Sequence, residues 1–335
     1  MRLLQPDDDT VCCLVGVFGL EGVPRRLTSI SRGGHGQVWR LDLDGPPRAF
    51  AVKELFAGDD EQRAVAEVEF RDVAVAAGIR APQNLRTLDG RYLAAVSGSV
   101  VRVSSWVDGR EPRPDDPGVA EWLGRTLATL HTLGHPVDRD NAAADPPMPD
   151  LAGWLDLAEQ GKAAGQPWAA GLARSAPDLA RLGAKTRPVD PDRLVFSHHD
   201  VQPSNVLFDP KTAQFVLLDW DGAGAIDPAR ELASRLYTWH VWDDQFDTDG
   251  ARRTLRAYRA AGGHAVIGEA EAYGGIPDAL GAIEGQARAS LDESLPAAMR
   301  EHSARETCLL VGDGSGPDSD PYGVFEQIIE LGRNL

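Results

Sequence analysis

The stretch Ser197-His198-His199-Asp200-Val201-Gln202-Pro203-Ser204-Asn205 sets a carboxylate and a side-chain amide close together, and Asp219 follows at the end of the apolar run Phe215-Val216-Leu217-Leu218. His198, Asp200 and Asn205 form a His-x-Asp-x-x-x-x-Asn pattern. An Asp at the exit of a buried strand is held by rigid backbone yet opens to a cleft. One carboxylate can orient a hydroxyl and accept its proton, while an Asn oxygen and another carboxylate give magnesium hard oxygen ligands. Such a set suits phosphoryl transfer, where catalysis is mostly positioning and charge neutralisation.

The pattern gains weight from residues upstream. Lys53 ends Ala51-Val52-Lys53 on a predicted strand and can reach nucleotide phosphates. Glu67 and Glu69 lie on the next helix, and either can pair with Lys53. Ser31-Arg32-Gly33-Gly34-His35-Gly36-Gln37-Val38 joins two predicted strands, and its glycines permit close backbone approach to phosphates. A Gly-rich turn, Lys, helical Glu, His-x-Asp-x-x-x-x-Asn and Asp occur in the order expected of protein kinases.

The elements that must position these groups divide into two kinds. A short helix over 9–19, capped by Asp9 or Thr10, precedes strands at Arg26–Ile30, Gln37–Leu43 and Ala49–Leu55, with Asp44-Gly45 as a hairpin signal. Residues 59–77 read as a helix with Val65, Val68, Val73 and Ala76 inward, stopped by Gly78. Strands at 85–88 and 93–107 complete a small, mainly β lobe. From Val119 the periodicity turns helical: 119–133, 150–159, 168–182, 229–239, 251–261, 279–305 and 322–331. Gly312–Pro321 reads as a connector.

The chain has 335 residues, 42% of them hydrophobic and 25% charged, a globular composition. At roughly 100–200 residues per domain, that length predicts two domains or lobes. The net charge is −17, with −2 in residues 1–109 and −15 in 110–335. This acidity argues against nucleic-acid binding and lets the second part attract a cationic ligand, or simply serves as a solvated surface. Three cysteines, two of them adjacent, exclude a disulfide scaffold and read as buried or neutral thiols. The apolar run from Cys12 to Leu20 is short of the about 20 residues a membrane helix needs, and Asp7, Asp8 and Asp9 are wrong for a signal peptide. A soluble, cytoplasmic protein without membrane attachment or an obligate protein partner is expected.

FSHHDVQPSNVLFD, FVLLDWDGAGAIDPARELA and LGRTLATLH resemble the aminoglycoside phosphotransferase and choline kinase family, a branch of the protein-kinase-like fold, over residues 25 to 262. The resemblance implies an α+β, bilobal fold. A small, mainly antiparallel β lobe with one key helix (1–109, with the hinge) would bind nucleotide, and a larger, mainly α lobe (110–335) would carry catalysis and the acceptor. Asp200 would be the catalytic base, Asn205 and Asp219 the Mg2+ ligands, Lys53 the contact to the α- and β-phosphates, and Glu67 the partner of Lys53. Gly33, Gly34 and Gly36 would approach the phosphates, and Val38 and Ala51 would wall the adenine. The hinge, near Ser104–Asp108 and including Ser105, would offer it backbone. His198 would brace the loop, Asp227 would be a structural acid, and Asp221 would assist the metal or cap its turn.

Ser31 stands where protein kinases carry their first glycine, Trp220-Asp221 replaces Phe-Gly, and no Ala-Pro-Glu follows, which favours a small-molecule kinase. The implied activity moves the γ-phosphoryl of ATP or GTP to a hydroxyl of an antibiotic, an aminoglycoside or another sugar-containing compound, as a resistance activity. A metabolic kinase of choline, a sugar or an amino alcohol is the alternative. A catalytically silent nucleotide-binding regulatory protein is the alternative of another class. Acids at 243, 244, 247, 249, 269, 271, 278, 284, 292 and 293 are candidates to meet a cationic acceptor, though exposed pairs contribute little.

Overall fold

The computed structural model describes residues 4–32, 36–45, 48–56, 60–139, 148–242, 245–312 and 321–333. The elements begin with α1 (Asp8–Phe18), β1 (Val23–Arg32), β2 (Gly36–Asp44), β3 (Ala49–Leu55), α2 (Glu61–Ala76), β4 (Ala94–Val96) and β5 (Ser99–Ser105). There follow α3 (Val119–Thr132), α4 (Leu151–Ala163), α5 (Ala169–Gly183), β6 (Val195–Ser197), β7 (Val206–Asp209), β8 (Gln214–Leu217) and β9 (Gly224–Ile226). The chain continues through α6 (Pro228–His240), β10 (Val241–Trp242), β11 (Gln245–Phe246), α7 (Thr248–Ala260), α8 (Glu269–Ala272), α9 (Ile276–Leu291), α10 (Ala297–Val311) and α11 (Pro321–Arg333). They gather into two compact units: Met1–Pro117 with Asp200–Ala223, and Gly118–His199 with Gly224–Leu335.

The first unit is built on an antiparallel sheet in the order β1-β2-β3-β5-β4, so β3, which carries Lys53, is central. Alternation gives the sheet two faces. Leu41, Val52 and Val101 pack with Leu14 and Phe18 of α1. Glu54 is buried among them because three donors satisfy its carboxylate: Leu4 N–H at 2.7 Å, Ser99 Oγ–H at 2.7 Å and Trp39 Nε1–H at 3.2 Å. Asp7, rather than Asp9 or Thr10, caps α1 by accepting from Thr10 N–H at 2.8 Å. Cys12 and Cys13 are exposed, which removes the buried alternative for these two thiols.

Three local readings change. Residues 85–88 are not a strand, although Leu85 N–H still reaches the Val103 carbonyl at 2.9 Å. The run at 93–107 divides into β4 and β5 at Ser97 and Gly98, both at positive φ (52° and 89°). α2 buries Ala64, Glu67, Val68, Phe70, Arg71 and Ala74, whereas Val73 is exposed. A count of apolar positions missed that polar partners, Arg102 for Glu67 and the Ala81 carbonyl for Arg71, meet two charged residues on the inward face.

The second unit is mostly helical. Leu123, Leu127 and Leu130 of α3 are fully buried. A β-carbon at Gly124 would collide with the Thr254 carbonyl, so glycine lets α3 and α7 approach closely. The predicted helix over 279–305 is two helices, α9 and α10. Asp292 accepts from Ser294 N–H at 2.9 Å, and Pro296 precedes α10, which together end one helix and start the next.

Beneath α6 runs a buried polar chain. His131 Nε2 donates to Glu231 Oε2 at 2.9 Å, and Tyr258 O–H donates to His131 Nδ1 at 2.9 Å. Glu231 Oε1 accepts from the backbone N–H of His199 at 3.1 Å, holding a residue in the left-handed region (φ 71°) just before Asp200 in the chain. Burial opposes the charge of Glu231, but hydrogen bonding to His131 brings its pKa down to about 2. Asp227 caps α6 through Ala229 N–H at 2.8 Å and pairs with Arg193 at 3.2 Å. His198 is fully buried.

His240 is also buried, and burial pushes its pKa down from 6.5 to about 4. The unfolded chain therefore binds the extra proton first. The stability this histidine contributes is complete above pH 6.5 and is lost as pH falls through 4, an effect of up to about 3 kcal/mol. Urea unfolding at pH 7 and pH 4.5 should show this acid sensitivity, and His240→Asn should flatten the difference. An equal pH dependence in the variant would assign it elsewhere. Glu231 adds a loss only lower, from 4.5 toward 2.

Candidate functional site

Three segments of the first unit converge on a cavity of about 460 Å³, whose lining includes Val38, Ala51, Lys53, Arg102, Ser105, Asn205 and Asp219. The sheet supplies the first side by register. Val38 pairs with Lys53 and Lys53 with Arg102, while Arg40 pairs with Ala51 and Ala51 with Ser104. Residues directly opposed in an antiparallel sheet share a face, so Val38, Ala51, Lys53, Arg102 and Ser104 stand together.

The second side comes from Asp200–Ala223. Gln202 N–H donates to the Asp200 carbonyl at 3.0 Å, and Asn205 N–H to the Gln202 carbonyl at 2.9 Å, which fold the loop tightly. Asn205 Nδ2 donates to Asp200 Oδ2 at 2.6 Å and to its backbone oxygen at 3.1 Å. Asp200 thus stands one hydrogen bond behind the cavity lining. β7 and β8 form a hairpin, and Leu218 N–H to the Asn205 carbonyl at 2.8 Å fixes Asn205 beside Asp219. Two backbone bonds join Arg110 to Phe208, and Leu217 N–H reaches the Arg80 carbonyl at 2.8 Å, so the hairpin is tied to the sheet-bearing part of its own unit.

Asp219 leaves β8 at φ 57°, ψ 64°, a left-handed conformation uncommon for a non-glycine residue. Trp220 anchors the turn: it is buried, donates to the Leu217 carbonyl at 3.1 Å, and meets the edge of Phe70 of α2 at 5.8 Å. This bulky anchor is what Trp in place of Phe provides.

Lys53 Nζ donates to Asp219 at 2.5 Å and to Asp221 at 2.8 and 3.0 Å. Glu67, expected to hold Lys53, accepts from Arg63 Nε and Arg102 Nη1, each at 3.0 Å. Arg102 is nearly buried, lies opposite Lys53 in the sheet and presents the forked donor that a carboxylate on α2 meets. Arg102 also reaches Asp221 at 2.8 Å. Burial and the hydrogen bond shared with Asp221 push Asp219 up to about 6 against the pull of Lys53. Burial opposes the charge of Asp221 too, but the bond from Asp219 and the Arg102 and Lys53 cations hold it well below the carboxylate range. Of these two carboxylates, Asp219 is the one that takes up a proton first.

Gly33 and Gly34 lie outside the described residues. Gly36 opens β2 opposite Leu55, and a β-carbon there would collide with the Glu54 carbonyl, which gives this glycine a packing reason. Ser105 exchanges bonds with Gln83, its N–H donating at 2.8 Å and its Oγ accepting at 2.9 Å. Trp106 donates to Asp108 at 2.8 Å, with the Arg40 guanidinium 4.7 Å over its ring.

Sequence reasoning missed Arg102. The signal was available: Val100, Arg102 and Ser104 alternate with Val101 and Val103, and antiparallel pairing with Ala49–Leu55 sets Arg102 against Lys53. The acids of the second part are mostly occupied locally. Asp247 caps α7, Asp249 pairs with Arg252, Glu271 with Arg193, Glu284 with Arg288, and Asp292 caps a turn. Asp243 and Asp244 lie outside the described residues.

Residues 26–272 match the phosphotransferase enzyme family, and the chain belongs to that family. A homoserine kinase of Rhodopseudomonas palustris (strain TIE-1) is 30% identical over 192 residues, 54% of each chain. The chain thus spans about half the length of the curated relatives it matches. A solved spectinomycin phosphotransferase in complex with ADP and spectinomycin has a TM-score of 0.70 at 13% identity, covering 98% of this chain and 99% of that one. A microcompartment-associated aminopropanol kinase has a TM-score of 0.58 at 18% identity, covering 96% and 98%. These likenesses identify the fold as the kinase-like one: an antiparallel sheet with a helix, followed by a mostly helical part. Among the described residues no helix is long and apolar enough to cross a membrane.

Proposed function

We propose that the protein transfers the γ-phosphoryl group of ATP or GTP to a hydroxyl of a small molecule that also carries an amine. The observation that carries this reading is the convergence of Lys53, Asn205 and Asp219 on one cavity, with Asp200 directly behind Asn205. The nucleotide occupies that cavity, its base between Val38 and Ala51 and near Ser105–Val107, its phosphates toward Lys53. Residues 1–109 supply Lys53 and the walls for the base, and residues 110–335 supply Asn205 and Asp219 to the same cavity and carry catalysis and the acceptor.

The donor set fits magnesium. Asn205 commits its nitrogen to Asp200, which leaves Oδ1 as a hard oxygen donor beside the Asp219 carboxylate. When bound there, Mg2+ neutralises phosphate charge. Lys53 takes the remaining negative charge of the phosphates, and Asp200 orients the acceptor hydroxyl and receives its proton.

The homoserine kinase match favours an amino-acid alcohol or amino alcohol as acceptor, and the net charge of −17 favours a cationic one. An antibiotic acceptor, the first expectation from the motifs, keeps only the support of the shared fold. Nucleotide consumption against homoserine, aminopropanol, choline, spectinomycin, aminoglycosides and plain sugars tests this. An amine-bearing acceptor should gain one phosphoryl group. Phosphorylation of amine-free sugars alone would overturn the acceptor class, and nucleotide binding without transfer to any of them would favour a silent regulator.

A further inference from the structure

α10 (Ala297–Val311) carries its polarity reversed. A surface helix normally turns its apolar side inward. α10 instead buries Ser303 and Thr307 beside Val311, and the Thr307 hydroxyl donates to the Ser303 carbonyl at 2.8 Å. Leu309 and Leu310 face outward, 76% and 47% exposed. The outer side of the helix also lines a groove of about 710 Å³, with Ala297, Glu301, Arg305 and Leu309 along it and Gln166 and Pro167 beside it. No residue of this groove lines the cavity at Lys53. Successive residues of a helix turn by about 100°, so Glu301 and Arg305, equally spaced on either side of buried Ser303, both stand on the opposite face. Neither side chain has a charged partner among the described residues.

We propose that the outer face of α10 pairs with the same face of a second copy of this chain, antiparallel about a two-fold axis at the level of Ser303. Such an axis brings level the residues equally far on either side of Ser303. Glu301 of each copy then meets Arg305 of the other, so two ion pairs form at once. Leu309 comes level with Ala297 and Ala298 of the other copy, both exposed, whose small side chains leave room for it. A uniformly acidic or basic partner would match only one of the two charges, whereas a second copy matches both. One helix of 15 residues covers less than the about 800 Å² a side of a standard stable interface, so the pairing is reversible.

Sedimentation velocity of the full chain from about 1 to about 200 µM tests this, with thermal melting as the check that each variant folds. Wild type should pass from monomer to dimer across that range. Glu301→Arg and Arg305→Glu each set like charges against one another twice per dimer, and each should weaken association by about tenfold or more. The double variant Glu301→Arg with Arg305→Glu exchanges the two signs and should return the dissociation constant to within about threefold of wild type. Leu309→Asn should weaken association without lowering the melting temperature, since that side chain is exposed in the single chain. A wild type that stays monomeric throughout would overturn the proposal and give the face to a partner of another kind. Association that survives both single reversals, or a double variant no better than either of them, would overturn the antiparallel register and with it the proposal.

Discussion

Asp200→Asn should reduce phosphoryl transfer by about 10²–10⁴-fold while leaving nucleotide affinity nearly unchanged. The substitution is isosteric. Asn205 Nδ2 and Gln202 Nε2 both donate to Asp200 Oδ2, and an amide oxygen can accept the same bonds. The loop therefore keeps its shape and loses only the carboxylate proposed to take the hydroxyl proton. Steady-state rates with the best acceptor, beside a nucleotide titration, check this. A variant that keeps wild-type turnover would remove Asp200 from the chemistry. A variant that loses nucleotide binding equally would make it a structural residue.

Asp219→Ala should act earlier in the cycle. It removes a proposed metal ligand and a partner of Lys53 at once, leaving Asn205 as the remaining protein donor proposed for the metal. Charge stabilisation by a metal supplies several kcal/mol, so transfer should fall by about 10³-fold or more and magnesium should cease to strengthen nucleotide binding. Titrations with and without Mg2+ separate the two effects. Trp220 and Phe70 hold the turn independently of the Asp219 carboxylate, so the melting temperature should stay close to wild type. Magnesium-dependent binding that survives the substitution would place the metal elsewhere.

Much of this was legible because the informative residues sit inside short local patterns. The Asp200–Asn205 spacing encodes one tight loop, and the apolar run into Asp219 encodes a strand exit. Lys53 ends a strand whose alternation is plain. These features need no knowledge of what packs against them. The turn at Ser97-Gly98 was hidden because strand-forming residues flank it on both sides. Pro296 was overridden in a long run of helix formers, yet a proline at that point must interrupt the backbone bonding. The buried face of α2 was misjudged for a different reason. Glu67 and Arg71 point inward because partners outside α2 meet them: Arg102 on β5 for Glu67, and for Arg71 the carbonyl of Ala81 just past the helix. A pairing across strands sets Arg102 opposite Lys53 and within reach of Glu67, and nothing within one segment reports it. The acceptor is the least legible part, since the acids of the second part are mainly helix caps and local ion pairs.

Lys53, Asn205 and Asp219 are proposed to form one magnesium–nucleotide site. Isothermal titration calorimetry of the wild-type protein with ATP and GTP, in the presence and absence of magnesium, tests it most directly. Saturable binding of one nucleotide per chain, strengthened by magnesium and weakened in Lys53→Met, is the expected result. Heat that never saturates, or affinity indifferent to both magnesium and Lys53, would contradict it.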